Sequence, residues 1–232
     1  MKDISVIIVA AGESKRMGMG IRPEIIGTPP RLRKPFLMLK GKPVLRYSID
    51  IFRGIPSVKE IIIAVNSKDT QITEKIIKRF KGIKTVVGGA RRVDSVFNAL
   101  MATDNQSRII LVHDAARPFV SRRDVLRLIN QVRQSGAAIL AVPVKDTIKK
   151  SQIPNPKSQN RTIIKETITP RESLWAAQTP QGFRRDWLVR AYQDTGVNVT
   201  DDASLVEMIG LPVRIVRGSE ANIKITTKAD IK

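Results

Sequence analysis

Val6-Ile7-Ile8-Val9-Ala10-Ala11-Gly12-Glu13-Ser14-Lys15-Arg16-Met17-Gly18 is the stretch on which the reading of this 232-residue chain turns. Its run of β-branched residues predicts a buried strand, and the small residues that follow predict a tight corner into a helix. Ala10, Ala11 and Gly12 place little side chain between the backbone and a ligand. A helix starting beyond them would aim free N–H groups at the same anion as Lys15 and Arg16. Such a corner suits a polyphosphate. It is neither of the two familiar phosphate loops, because Gly12 and Gly18 stand six apart with no Gly-Lys-Ser/Thr and no Gly-x-Gly-x-x-Gly. Alone, the pattern also fits an ordinary strand-to-helix corner with a basic first turn. The rest of the chain has to decide.

Outward from that corner, strand-like and helical runs alternate. Strands are predicted at 4–9, 59–65, 84–87, 108–113 and 137–144, and helices at 43–53, 70–80, 92–103 and 121–135. The last of these is the clearest: Val125, Leu128, Ile129 and Val132 share one helical face, Ser121 can cap its start and Gly136 can end it. Such alternation predicts an α/β fold with a mostly parallel sheet and right-handed crossovers. The rhythm breaks after Val144. Residues 146–166 are polar and Lys-rich with Pro154 and Pro156, which fits two short strands joined by a projecting loop, or an unstructured insert. Helices at 184–195 and 201–209 and strands at 213–217 and 222–226 complete the expectation. With no internal repeat and no second core in the pattern, residues 1–232 read as one domain with an arm at about 146–166.

Composition narrows the functional classes. The absence of cysteine excludes a disulfide framework, a thiolate metal site and a cysteine nucleophile. No apolar run approaches the length of a membrane span, and the opening Met-Lys-Asp leaves no room for a secretory leader, so a cytoplasmic protein is expected. A net charge of +20 raises nucleic-acid binding. However, the 41 Lys and Arg are spread from end to end, and only 4% of residues are aromatic, which leaves little to stack on bases. An anionic small substrate explains the charge at least as well. In a parallel sheet, ligands sit beyond the carboxyl ends of the strands. The corners there read Ala10-Ala11-Gly12, Gly88-Gly89, His113-Asp114-Ala115-Ala116-Arg117-Pro118 and Lys145-Asp146-Thr147, glycine-rich or acidic at independent strand ends.

These strings, with Gly88-Gly89-x-x-Arg92-x-Asp94-Ser95-Val96, Pro143-Val144-x-Asp146-Thr147, Thr179-Pro180-Gln181, Thr200-Asp201-x-Ala203-Ser204 and Asn222-Ile223-Lys224-Ile225-Thr226, carry a resemblance. The chain resembles the 2-C-methyl-D-erythritol 4-phosphate cytidylyltransferases, in order and over nearly its whole length. The Ala-Ala-Gly opening is shared by many nucleotidyltransferases; His-Asp-Ala-Ala-Arg-Pro and Asn-Ile-Lys-Ile-Thr are the specific strings. The resemblance implies a Rossmann-like three-layer α/β/α nucleotidyltransferase fold. It also implies transfer of CMP from CTP to 2-C-methyl-D-erythritol 4-phosphate, with pyrophosphate released and Mg²⁺ bridging phosphate oxygens, in the non-mevalonate route to isoprenoid precursors. A ribitol-5-phosphate cytidylyltransferase of the same fold is the nearest alternative, and a non-catalytic nucleotide- or nucleic-acid-binding protein the alternative from another class.

Carried over residue by residue, the resemblance gives the catalytic set Arg16, Lys34, Arg171 and Lys224. Arg16 and Lys34 would grip the triphosphate; Arg171 and Lys224 would hold the acceptor phosphate. Ala10, Ala11, Gly12, Gly88, Gly89, Ser95, Asp114 and Ala115 would bind CTP, with Ser95 reaching the cytosine and Asp114 the ribose or a metal-bound phosphate. Arg117, Thr147, Thr179 and Thr200 would meet the acceptor, although Arg117 could equally brace its loop. Arg92 and Asp94 read as a local pair or loop supports, and His113 as an interior residue, since neighbours on a strand face opposite ways. The arm implies a homodimer in which Thr147 and Arg171 serve the partner's site. Residues 17–33 depart from the family pattern as a longer insert, where Arg22, Arg31 and Arg33 compete with Lys34 for its role. Ala221 stands where the family is often acidic, and the sequence stops at Lys232, where the family usually continues into a final helix.

Overall fold

The inner strands Ile4–Val9, Val58–Val65 and Ile109–Asp114 form where apolar, largely β-branched runs are buried on both faces, whereas Ile83–Val87 at the sheet edge stays half exposed. The computed structural model describes residues 2–12, 33–151, 164–193 and 199–231. β1 (Ile4–Val9) leads to a short antiparallel pair, β2 (Met38–Leu39) and β3 (Lys42–Pro43), and to α1 (Val44–Arg53). Then follow β4 (Val58–Val65), α2 (Thr70–Ile77), β5 (Ile83–Val87), α3 (Arg92–Met101), β6 (Ile109–Asp114), α4 (Arg122–Ser135) and β7 (Ala137–Pro143). β8 (Lys149–Ser151) and β9 (Ile164–Thr167) pair only with each other, as an exposed antiparallel ladder where the arm is expected. β10 (Trp175–Arg184), α5 (Arg185–Gln193), α6 (Asp202–Met208) and β11 (Arg214–Arg217) complete the described α-helices and strands.

The main sheet runs β11-β7-β10-β6-β1-β4-β5. All of its pairings are parallel except those of β10, which lies antiparallel to both β6 and β7. Side chains alternate across it. Ile4, Val6 and Ile8 of β1 pack with α1, α2 and α4 on one face, and Ile7 packs with α3, α5 and α6 on the other. The result is a three-layer α/β/α arrangement in which α4 behaves as its sequence predicts. Ser121 accepts a hydrogen bond from the Asp124 N–H at 3.0 Å. Gly136 ends the helix at φ 86°, and a Cβ there would fall 2.5 Å from the Trp187 ring.

Two expectations are corrected. β10 was not read as a strand, because Pro180 argues against a central position and Gln178, Thr179 and Gln181 break the apolar alternation. All three polar side chains are buried, and the β7 register shifts between Ala177 and Gln181, so Pro180 sits where no ladder donor is needed. Conversely, residues 222–226 are not a strand. Their polar groups bond elsewhere: the Ile225 N–H donates to the Ala116 carbonyl at 2.8 Å, and the Asn222 amide to the Thr179 carbonyl at 3.0 Å.

Candidate active site

β1 sits between β4 and β6, so the chain leaves it once in each direction, and the crevice beyond its carboxyl end is the switch point of the sheet. Val9 lies opposite both Ala64 and Asp114, which brings the ends of β1, β4 and β6 level. The Gly88 N–H donates to the Val65 carbonyl at 2.7 Å and adds the end of β5 to the same edge. A cleft of about 480 Å³ opens there, lined by Ala10, Ala11, Gly12, Lys34, Asn66, Gly89, Arg91, Arg92, Ser95, Asp114 and Lys224 among others. Among the described residues, Asp114 is the one carboxylate in that lining, against two lysines and two arginines.

The Asp114 carboxylate is gripped from two sides. Lys224 donates to Oδ2 at 2.6 Å and Arg92 to Oδ1 at 3.3 Å. Burial acts to raise its pKa, but Arg92 and Lys224 outweigh burial and hold it well below the usual carboxylate range. Behind it, the Asp114 N–H donates to the Thr179 hydroxyl at 3.0 Å. Arg92 extends the network inward with a 2.8 Å bond to Asp202, whose other oxygen accepts from the Tyr192 hydroxyl at 2.6 Å. Burial opposes the charge on Arg92, yet Asp202 and Asp114 together keep its pKa well above that of an ordinary arginine. The phenol of Tyr192 is pushed far up, by burial first and then by Asp202.

Lys34 and Lys224 reach the cleft because one small core holds both of their segments. A 3-10 turn at Lys34–Phe36 precedes Leu37 and Leu39, and these pack with Val44 against fully buried Ile225, next to Lys224. Arg117 braces that segment from below, donating to the Asn222 carbonyl at 2.7 Å; burial, partly opposed by Asp114, lowers its pKa. On the opposite wall, the Gly89 N–H donates to the Ser95 hydroxyl at 3.1 Å, and Ser95 in turn donates to the Arg91 carbonyl at 3.0 Å. A Cβ on Gly88 would lie 2.6 Å from the Ala11 Cβ, and one on Gly89 would lie 2.3 Å from the Asp94 Cβ. The two glycines therefore let two strand ends and α3 close on one another.

A model of the family described as IspD: 2-C-methyl-D-erythritol 4-phosphate cytidylyltransferase matches residues 4–232. The chain belongs to this family. A 2-C-methyl-D-erythritol 4-phosphate cytidylyltransferase of Desulforamulus reducens is 37% identical over 239 residues, spanning 100% of this chain and 94% of its own length. One from Symbiobacterium thermophilum is 41% identical over 235 residues, spanning 99% of this chain and 90% of the relative. The crystal structure of 4-diphosphocytidyl-2C-methyl-D-erythritol synthase from Anaerococcus prevotii superposes with a TM-score of 0.80 at 32% identity, covering 99% of this chain and 93% of that one.

Within this family member, the cleft gathers Ala10, Ala11, Gly12, Lys34, Gly89, Ser95, Asp114 and Lys224 of the expected set. Arg16 lies outside the described residues, as do Arg22 and Arg31. Arg33, the remaining competitor of Lys34, is turned away into an ion pair with Asp69. Gly88 and Ala115 stand just behind the lining, their N–H groups bonded to the Val65 and Val9 carbonyls. Arg171, Thr147 and Thr200 are exposed and do not line the cleft; Arg171 donates to the Lys145 carbonyl at 3.0 Å. Thr179 is buried, with its hydroxyl committed to Asp114 and, at 3.2 Å, to His113. Ser95 lines the cleft, and its hydroxyl accepts from Gly89 and donates to Arg91, which leaves one acceptor lone pair. His113 is fully buried, and burial pushes its pKa down to about 4.

Sequence reading left Arg92 outside the site. Asp94 does not pair with it but with Arg91, at 2.7 Å, freeing Arg92 for Asp114 and Asp202. The available signal was position: Arg92 opens α3 three residues after Gly89, so its side chain starts at the cleft rim.

Proposed function

We propose that this chain transfers CMP from CTP to 2-C-methyl-D-erythritol 4-phosphate, forming 4-diphosphocytidyl-2-C-methyl-D-erythritol and pyrophosphate. The observation that carries this reading is the cationic cleft at the switch point, in a chain whose relatives carry that activity in their names. An acceptor phosphate oxygen attacks the α-phosphorus of CTP in line, and the bond to the leaving pyrophosphate breaks. Two anions must meet, so the protein's task is to position them and to neutralise developing charge. The backbone from Ala10 to Gly12, with Lys34 and Arg16, would hold the triphosphate. Lys224 would exchange part of its bond to Asp114 for the acceptor phosphate, and Asp114 would then accept hydrogen bonds from hydroxyls of ribose or acceptor while remaining an anion. The backbone at Gly88 and Gly89 forms the collar for the pyrimidine, with Ser95 fixing the collar's shape. No protein nucleophile is needed.

Magnesium fits this donor set. A magnesium ion commonly takes one or two carboxylates and completes its shell with substrate phosphates and water. Asp114 is held as an anion, and each of its oxygens keeps a lone pair beyond those used by Arg92 and Lys224. Bound there, the ion would neutralise triphosphate charge. The same reading includes a homodimer: Arg171 and Thr147 lie beside the β8–β9 ladder on the surface, where they could complete a neighbour's acceptor pocket. It also assigns the enzyme to the cytoplasm, in keeping with a chain free of cysteine. The test is pyrophosphate release with each nucleoside triphosphate, with 2-C-methyl-D-erythritol 4-phosphate and with ribitol 5-phosphate, with and without Mg²⁺. Turnover confined to CTP, Mg²⁺ and the methylerythritol phosphate is expected. Preference for ribitol 5-phosphate, or no turnover with any pair, would overturn the assignment.

A further inference from the structure

A second cleft, of about 550 Å³, opens at the other edge of the sheet. Its lining includes Asp3, which precedes β1, Arg108, which precedes β6, Arg133 near the end of α4, and Arg184, Arg185 and Asp186, where β10 turns into α5. β1 is six residues long, so this cleft stands about 20 Å from the one at the carboxyl ends. Four arginines face two aspartates. Arg133 is matched by Asp3 at 2.8 Å and Arg184 by Asp186 at 2.7 Å. Arg108 and Arg185 have no side-chain partner among the described residues, and the Arg185 Nε is buried without an acceptor. A buried donor without a partner calls for an explanation. The backbone ties these two arginines together, since the Arg185 N–H donates to the Arg108 carbonyl at 2.9 Å.

We infer that this cleft is a second anion site, built to take the phosphate group of a small phosphorylated molecule. Guanidinium forks match phosphate oxygens in pairs, and Arg108 and Arg185 are the two whose charge no side chain offsets. The ligand takes the terminal guanidinium nitrogens of Arg108 and Arg185, with the enclosed Arg185 Nε as a nearby reporter, and leaves the two existing ion pairs in place. The site is independent of the chemistry assigned to the carboxyl-end cleft.

The test follows the Nε–Hε resonance of Arg185 in ¹⁵N-arginine-labelled full-length protein, assigned by its loss in Arg185→Lys. Sodium phosphate is titrated at constant ionic strength against sodium chloride. A saturating displacement with phosphate alone is expected. It persists in Lys224→Ala, which disables the other cleft, and its midpoint rises about tenfold in Arg108→Ala, the scale of one charge-assisted hydrogen bond. Arg108 is exposed, so that variant keeps its fold and its turnover. No saturating displacement, an equal response to chloride, loss of the response in Lys224→Ala, or an unchanged midpoint in Arg108→Ala would each overturn the inference.

Discussion

Asp114 shows how one carboxylate can organise two cations. Lys224 and Arg92 are far apart in the sequence, and each is oriented by the same anion. Lys224 also retains solvent exposure, so it is the cation free to turn toward a substrate. Lys224→Ala should therefore leave the fold intact and lower kcat by about a hundredfold, the usual scale for removing one charge-stabilising donor. Circular dichroism with steady-state rates checks this; a near wild-type rate would remove Lys224 from the mechanism. His113, next along β6, makes the opposite case. It packs edge-to-face on Phe52 at 5.1 Å and stays neutral, with its pKa pushed down from 6.5 to about 4. The folded state thus binds its proton less readily than the unfolded chain does. Its contribution is fully present above about pH 6.5 and is lost as pH falls toward 4, by roughly 3 kcal/mol in all. Denaturant unfolding across that window should show this slope, and His113→Gln should flatten it. As the chain's one histidine, its imidazole can be followed directly by NMR and should not titrate between pH 7.5 and 5.

At the scale of elements, the site is a set of strand ends pulled level by parallel pairing, and the two kinds of glycine in it do different work. A Cβ on Gly12 meets nothing within 4 Å, whereas one on Gly89 collides with α3. Gly12→Ala should keep the wild-type melting temperature and raise KM for CTP about tenfold, because only an approaching ligand would feel the methyl group. Gly89→Ala should cost about 1–3 kcal/mol of stability, since α3 and Arg92 must shift. An unchanged KM in the first variant would mean that the backbone at Gly12 does not touch the nucleotide. The longer strands and the helices of the first 145 residues were legible from their hydrophobic periods, whereas the two-residue strands β2 and β3 are too short to show one. β10 was not legible, because a central strand with a proline and three buried polar side chains hides its period. The segment at 222–226 misled for the converse reason: Ile223 and Ile225 alternate like strand residues, but only Ile225 is buried, and its partners are Leu37, Leu39 and Val44 rather than a sheet. Arg92 stayed hidden because sequence offered Asp94 as its neighbour, while folding gave Asp94 to Arg91.

For the whole molecule, the cleft brings together Lys34 and Lys224, almost two hundred positions apart, yet leaves Arg171 and Thr147 outside it. A monomer that used Arg171 on its own substrate would have to carry it from the surface beside Lys145 to the far side of β10. A partner's arm could bring it without refolding either chain. These two arrangements give opposite results when inactive subunits are mixed. Arg171→Ala and Lys224→Ala protein, co-refolded in equal amounts, form mixed dimers in half of the population by chance. If Arg171 works across the interface, each mixed dimer keeps one complete site, made of Lys224 from the first variant and Arg171 from the second. The mixture should then regain about a quarter of the wild-type rate, although each variant alone is nearly inactive. If Arg171 works within its own chain, or not at all, no mixed dimer contains a repaired site and the mixture stays at the average of its components. Native mass spectrometry of the same mixture, with one variant ¹⁵N-labelled, resolves mixed dimers from homodimers and so separates failure to pair from pairing without rescue. Rescue would assign the acceptor pocket to two chains; paired but inactive mixed dimers would return it to one.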